Sequence, residues 1–328
     1  MTDLDEEPTV EQPSPSVDVR DLHAITPAEA MALVDQHLGT PASWPSALLA
    51  YRLKSEWQAD WKVEVGNWLH AAKSYGFLDA ILRQIEGERG RRGEPTVIKG
   101  NDKHHLKLHQ YLAPALACHY FTRTGWSFVG FDTETGGNID VDLALAAPDG
   151  SLVEFQVKAP DQPGEVNGGR IHDGEYDQRI VLALDKAAAQ LPRPARSVGM
   201  VFIHAQRGML LVGDCGCLVH HLIGSTTSVS GMAGVFLQSS DRGKFFSSDW
   251  DHVAGVVAVD LVRGLDRSSY ACTVLLNPQA THPAQADWFP RGRVAVLDGD
   301  RFRWIRGEPG DLHTLPSGTL VVDRIPGF

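Results

Sequence analysis

Trp57, Trp61, Val65 and Trp68 recur every three or four residues, a spacing that lines up one apolar side of a helix and reads as core packing. The helical pattern opens at Thr26-Pro27-Ala28-Glu29. That run reads as an N-cap, a proline at the first helical position and a glutamate that completes a capping box. It predicts a helical region to about residue 88, followed by Arg89-Gly90-Arg91-Arg92-Gly93 as a basic linker, either solvated or in contact with phosphate. Leu106, Leu108, Tyr111, Leu112, Leu116, Tyr120 and Phe121 fit a further helix ending at Gly125. The period then drops to two. Strands are expected over residues 126–131, 139–145 and 152–158, with Pro148-Asp149-Gly150 as the turn between the last two. A glycine-rich loop at 163–174, a helix at 176–191 closed by Pro192 and Pro194, and a buried strand at 198–203 follow.

The resulting order, α-β-β-β-α-β, is that of an α/β layered domain around a mixed sheet. Beyond residue 250, apolar runs at 253–262, 272–276, 293–297 and 320–322 are broken by glycine and proline, and some of them extend the core sheet. The chain is thus expected to divide into an acidic disordered tail (1–25), a helical N-terminal region with its linker (26–100), an α/β core (101–245) and a β-rich C-terminal extension (246–328).

Composition narrows the class. Of the 328 residues, 43% are hydrophobic, enough for a packed core and too many for a disordered chain. No apolar run approaches the ~18 residues of a membrane span, and the acidic N-terminus lacks the apolar heart of a signal peptide. Four cysteines do not make a disulfide scaffold in a chain this long, so a reducing cytoplasm is the expected compartment. The net charge of −11 excludes an overall basic coat, but it is unevenly spread. Residues 1–22 hold Asp3, Asp5, Glu6, Glu7, Glu11, Asp18 and Asp21 against Arg20 alone, over half of the excess. This tail is expected to be dispensable for folding.

Candidate chemistry concentrates between residues 139 and 158. Side chains alternate along a strand, so Asp140 and Asp142 share one face while Glu154, Gln156 and Lys158 share a face of the next strand. A hairpin sets the two polar faces side by side. Carboxylates gathered on an otherwise apolar sheet call for a cation. Hard oxygen ligands suit Mg²⁺ or Mn²⁺, and a lysine beside them can orient water and neutralise developing charge. Other signals are weaker. Cys215-Gly-Cys217 with His220 and His221 lacks the two-residue spacing of zinc ligands and reads as core. His104, His105 and His109 read as a polar helix face. Asn167, Arg170 and His172 lie in the loop after the polar strand, where they have a chance to meet a substrate, and Tyr176, Arg179 and Lys186 on the next helix are candidates to face the sheet. Gln178 and Gln190 read as ordinary surface. No phosphate-binding loop, dinucleotide fingerprint or serine elbow is present.

Asp142 followed by Gln156-Val157-Lys158, with a helix before and a helix and strand after, resembles the PD-(D/E)XK nuclease superfamily. The Gln-x-Lys variant is similar to that of Mrr-like restriction endonucleases, and the likeness spans about residues 101–205. It implies a restriction-endonuclease-like core. By the resemblance Asp142 is the central metal ligand, Asp140 being its alternative in the alignment. Gln156 takes the place of the acidic ligand, the Val157 carbonyl completes the metal set and Lys158 is the catalytic lysine. Two departures stand out. The motif acid is a neutral glutamine, for which Glu154 is the compensating ligand, and residues 103–124 hold no acid, leaving His105 and His109 as the nearest substitutes. The expected activity is Mg²⁺- or Mn²⁺-dependent hydrolysis of nucleic acid, DNA first, in restriction, phage defence or repair. The expected partners are DNA and a second copy or a defence-system protein, with no membrane. The alternative is a catalytically inactive nuclease-like fold that binds nucleic acid or protein.

Overall fold

The computed structural model describes residues 16–38, 57–92, 103–134, 140–160, 173–193, 195–205, 218, 221–222, 226–231, 234–239, 243–263, 268–298 and 301–306. Five helices are named α1 (Pro27–Leu38), α2 (Trp57–Ser74), α3 (Leu78–Arg92), α4 (Lys103–Arg123) and α5 (Asp173–Gln190). The strands are β1 (Ser16–Asp18), β2 (Ser127–Glu134), β3 (Asp140–Ala146), β4 (Leu152–Lys158), β5 (Val198–Ala205), β6 (Thr226–Gly231), β7 (Gly234–Ser239), β8 (Val253–Arg263), β9 (Ser268–Leu276), β10 (Arg293–Asp298) and β11 (Arg301–Arg306). All but β6 and β7 join one mixed sheet in the order β11-β10-β9-β8-β5-β4-β3-β2, with β1 added on β9. β6 and β7 make a separate hairpin.

β2, β3 and β4 form an antiparallel meander. Its second turn is the expected one. The Gly150 N–H donates to Ala147 O at 2.8 Å, Asp149 Oδ1 accepts from the Ser151 N–H at 2.9 Å, and Gly150 takes a φ of 87° that glycine adopts without strain. The α5 crossover returns the chain to β5, parallel to β4, and β5 lies parallel to β8. The α/β class, the mixed sheet and the element order from α4 to β5 follow the sequence reading. The runs at 253–262, 272–276 and 293–297 do extend the core sheet.

Alternation sorts the strands between two apolar layers. Leu143, Val153, Phe155, Val157, Met200 and Phe202 pack with the layer that holds Val65, Trp68, Leu112 and Phe121 of α2 and α4. On the opposite face Val201, Ile203, Val256 and Ala258 meet Ile180, Leu184, Ala187 and Ala188 of α5. The capping box at the start of α1 forms as read, with Glu29 Oε2 accepting from Thr26 N–H at 2.9 Å and Thr26 Oγ1 accepting from Glu29 N–H at 3.3 Å. Where α1 crosses α2, Gly66 lies so close that a Cβ there would sit 2.2 Å from the Ala30 carbonyl oxygen. Val65 and Trp68 of the tryptophan stripe are buried, while the side chains of Trp57 and Trp61 lie outside the described residues.

Several expectations need correction. Residues 16–25 do not belong to a disordered tail. Ser16, Val17 and Asp18 pair with Ala271, Tyr270 and Ser269, and Val17, Val19 and Leu22 are buried. Arg123 Nε donates to Leu22 O at 3.1 Å, and His23 Nε2 meets Glu64 Oε1 at 2.7 Å. Three apolar residues spaced among acids are enough to dock when a sheet edge is waiting, so deleting residues 16–22 is expected to cost stability. The region from 26 to 88 is helical as expected, in α1, α2 and α3. Gly76, at φ 80°, breaks it between α2 and α3, and α3 continues through Arg92, across most of the expected basic linker. Arg179 and Lys186 are exposed and leave the sheet-facing stripe of α5 to aliphatic residues. The 163–172 loop with Asn167, Arg170 and His172, the Cys215, Cys217 and His220 group, the 320–322 run and the side chains of His104, His105, His109 and Tyr176 lie outside the described residues.

One buried group sets an acid limit. His119 of α4 is 1% exposed, its Nε2 has no hydrogen-bond partner among the described residues, and burial pushes its pKa down to about 3 from 6.5. Below about pH 6.5 the unfolded chain takes up a proton that the folded chain refuses, so stability falls as pH drops toward the folded value. Denaturation at about pH 7 and pH 4.5 is expected to show the wild type losing more stability than His119→Met, by on the order of 2 kcal/mol. Equal acid losses would show that His119 plays no part in it.

Candidate functional site

The polar faces of β3 and β4 meet under α5. The ladder between the two strands runs from Ala146↔Leu152 to Leu143↔Phe155, and Asp142 is the next residue along β3. There a side chain takes over from the backbone, since the Val157 N–H donates to Asp142 Oδ2 at 2.7 Å. A main-chain donor that would otherwise lose its partner at the strand end therefore fixes the carboxylate. Lys158 Nζ donates to the same Oδ2 at 3.1 Å and to Gln156 Oε1 at 3.1 Å. The lysine ammonium thus bridges the two oxygens contributed by neighbouring strands.

Burial grades across the cluster. Gln156 is fully buried, whereas the Lys158 and Asp142 side chains keep 20% and 33% of their surface open. A surface pair of this kind contributes little to stability. Its interest lies in position, at the end of β4 that leads into the 161–172 segment.

The remaining expected ligands are placed differently. Glu154 lies on the same face but is hydrogen-bonded to the hydroxyl of Ser197, at the entry to β5, rather than to the cluster. Its expected role as the compensating ligand therefore has no support in its contacts. Asp140 opens β3 and its side chain lies outside the described residues, as do those of His105 and His109. Val157 contributes its N–H to the site, while its side chain packs in the layer with α4. Two participants escaped the sequence reading. Ser197 holds Glu154, and Gln190, read as ordinary surface, offers its main-chain oxygen to Gln156 Nε2 at 3.5 Å. The one available hint was that Gln190 stands at the helix end before Leu191-Pro192.

A Mg²⁺-type ion needs hard oxygens and retains several waters. Among the described residues Asp142 Oδ1 has no hydrogen-bond partner and lies on a partly open side chain, so this donor fits such an ion. Gln156 Oε1 is already held by Lys158. No group of three or more His, Cys, Asp and Glu side chains able to hold a metal occurs among the described residues.

A second polar group flanks the far side of α5. His221 Nε2 meets Asp185 Oδ1 at 3.0 Å and Lys244 Nζ lies 3.3 Å from the same oxygen. Burial lowers the His221 pKa, and the Asp185 carboxylate opposes that shift. Among the described residues no helix is long and apolar enough to cross a membrane. Comparison with family models, with curated proteins and with solved structures finds no match to this chain.

Proposed function

We propose that the chain is a metal-dependent nuclease acting on DNA, with Asp142 as the carboxylate that holds Mg²⁺ or Mn²⁺ and Lys158 as the catalytic lysine. The observation that carries this reading is the convergence of Asp142, Gln156 and Lys158 on one sheet face within 3.1 Å contacts. The meander, crossover helix and parallel strand around it support a restriction-endonuclease-like core. When bound, the metal supplies charge for a phosphate oxygen and a water of lowered pKa. The chain itself does the rest. Lys158 presents an ammonium to charge that builds on the scissile phosphate and orients the attacking water. The Val157 N–H and the Lys158 ammonium hold Asp142 by Oδ2 and leave Oδ1 without a hydrogen bond among the described residues. Restriction, phage defence and repair are the settings that such an activity serves.

A second reading is favoured by one observation, the single carboxylate of the cluster among the described residues. On it the fold binds nucleic acid without cleaving it. Incubation with supercoiled plasmid, linear duplex, single strands and RNA separates the two, each with Mg²⁺, Mn²⁺ or EDTA. Cleavage with either ion and none with EDTA is expected. Metal-independent binding with every substrate left intact would replace the first reading by the second.

A further inference from the structure

The C-terminal end of α5 is met by side chains from β4 and from the turn before β8. A helix leaves its last carbonyls without intrahelical donors, and these carry the negative end of its dipole. α5 has no basic residue in its last turn. Instead His252 Nε2, which also lies 3.2 Å from the donor Arg193 Nε, meets Ala188 O at 2.8 Å, and Gln156 Nε2 reaches Gln190 O at 3.5 Å. Gln190 also has a buried side-chain oxygen with no partner among the described residues, so this wall offers acceptors and needs donors. Gln156, fully buried and opposite Val201 on β5, carries Lys158 on its oxygen and faces the helix end with its nitrogen.

We infer that Gln156 is a positioning residue, its amide oxygen seating the Lys158 ammonium and its amide nitrogen tying that seat to the last carbonyl of α5. The inference rests on the nuclease reading and deepens it. It also accounts for the neutral side chain. A carboxylate at 156 keeps the acceptor for Lys158 but sets a second negative oxygen against Gln190 O, at the negative end of the helix. The amide has one oxygen and one donor group, and each of these two neighbours needs a different one.

The test compares Gln156→Met, which keeps length and removes the bonds to Lys158 and Gln190, with Gln156→Glu, which keeps only the oxygen. Three measurements are made on the full chain. They are hydrogen exchange of the amides in the last turn of α5, calorimetric titration with Mg²⁺, and steady-state cleavage of plasmid. Both variants are expected to speed last-turn exchange about tenfold. Gln156→Met is expected to bind Mg²⁺ within about threefold of wild type and to lose kcat with KM unchanged, and Gln156→Glu to recover part of that kcat. Unchanged exchange in both variants overturns the inference. So does a loss of Mg²⁺ affinity beyond about tenfold in Gln156→Met, which would make the amide a metal ligand. Should wild type neither bind Mg²⁺ nor cleave, the nuclease reading falls by itself, and exchange alone then decides whether the tie to α5 exists.

Discussion

Lys158→Ala is expected to lower kcat for DNA cleavage by about 10²- to 10⁴-fold, the range that a positioned proton-transfer or charge-neutralising side chain contributes. DNA affinity is expected to change little, because phosphate contacts elsewhere on the surface supply most of it. Asp142→Ala is expected to remove cleavage and Mg²⁺ binding together. It also strips the partner from the Val157 N–H and leaves Lys158 with Gln156 alone. Asp142→Asn is the better-behaved companion, since it retains an oxygen for that N–H while giving up the charge. Gel assays of cleavage beside filter binding in EDTA separate the two effects. Wild-type cleavage by both Lys158→Ala and Asp142→Ala would move the chemistry elsewhere in the chain.

Gly66→Ala is expected to be the most damaging small change to the fold. The added Cβ would fall 2.2, 2.4 and 2.6 Å from the oxygen, carbonyl carbon and Cα of Ala30, all of them backbone. No rotamer change relieves such a clash, so α1 has to back away from α2 and uncover Val34 and Leu38, both buried now. Alanine suits a helix better than glycine by up to ~1 kcal/mol, which offsets part of the cost. A net loss of about 1–3 kcal/mol is expected, read as a fall of several degrees in Tm. A Tm at or above the wild-type value would mean that the two helices are free to separate at no cost.

Much of the fold was legible because local pattern and tertiary environment agreed. The alternation over 139–158 predicted both strands, their turn and the common face of Asp142, Gln156 and Lys158, and each is a property of neighbouring residues. What escaped notice depends on distant partners. β1 is three residues long and has no period to read, and it exists because β9 leaves an edge beside it. β11, Arg301-Phe-Arg-Trp-Ile-Arg306, begins with an alternation that the reading passed over, while the threonine- and serine-rich β6 gave no clear strand pattern. Within the site, shared parity on a strand placed Glu154 on the right face. It said nothing of Ser197, which arrives from the start of β5 and takes the carboxylate. Gln190 was equally opaque, since its contribution to Gln156 is a main-chain oxygen that any residue there would carry.

β9 holds β8 along one side, while its other side is shared end to end by β1 at residues 269–271 and β10 at residues 273–276. This sharing joins the beginning of the chain to its final quarter. During synthesis the partners of Ser16–Asp18 follow them about 250 residues later, at the usual ~5–20 residues per second. For that interval Val17, Val19 and Leu22 have no β9 to cover them, and a loop of such length makes their docking a late event. A nascent chain stalled before residue 268 would thus leave Val17, Val19 and Leu22 without the strand that Ser16–Asp18 pair with.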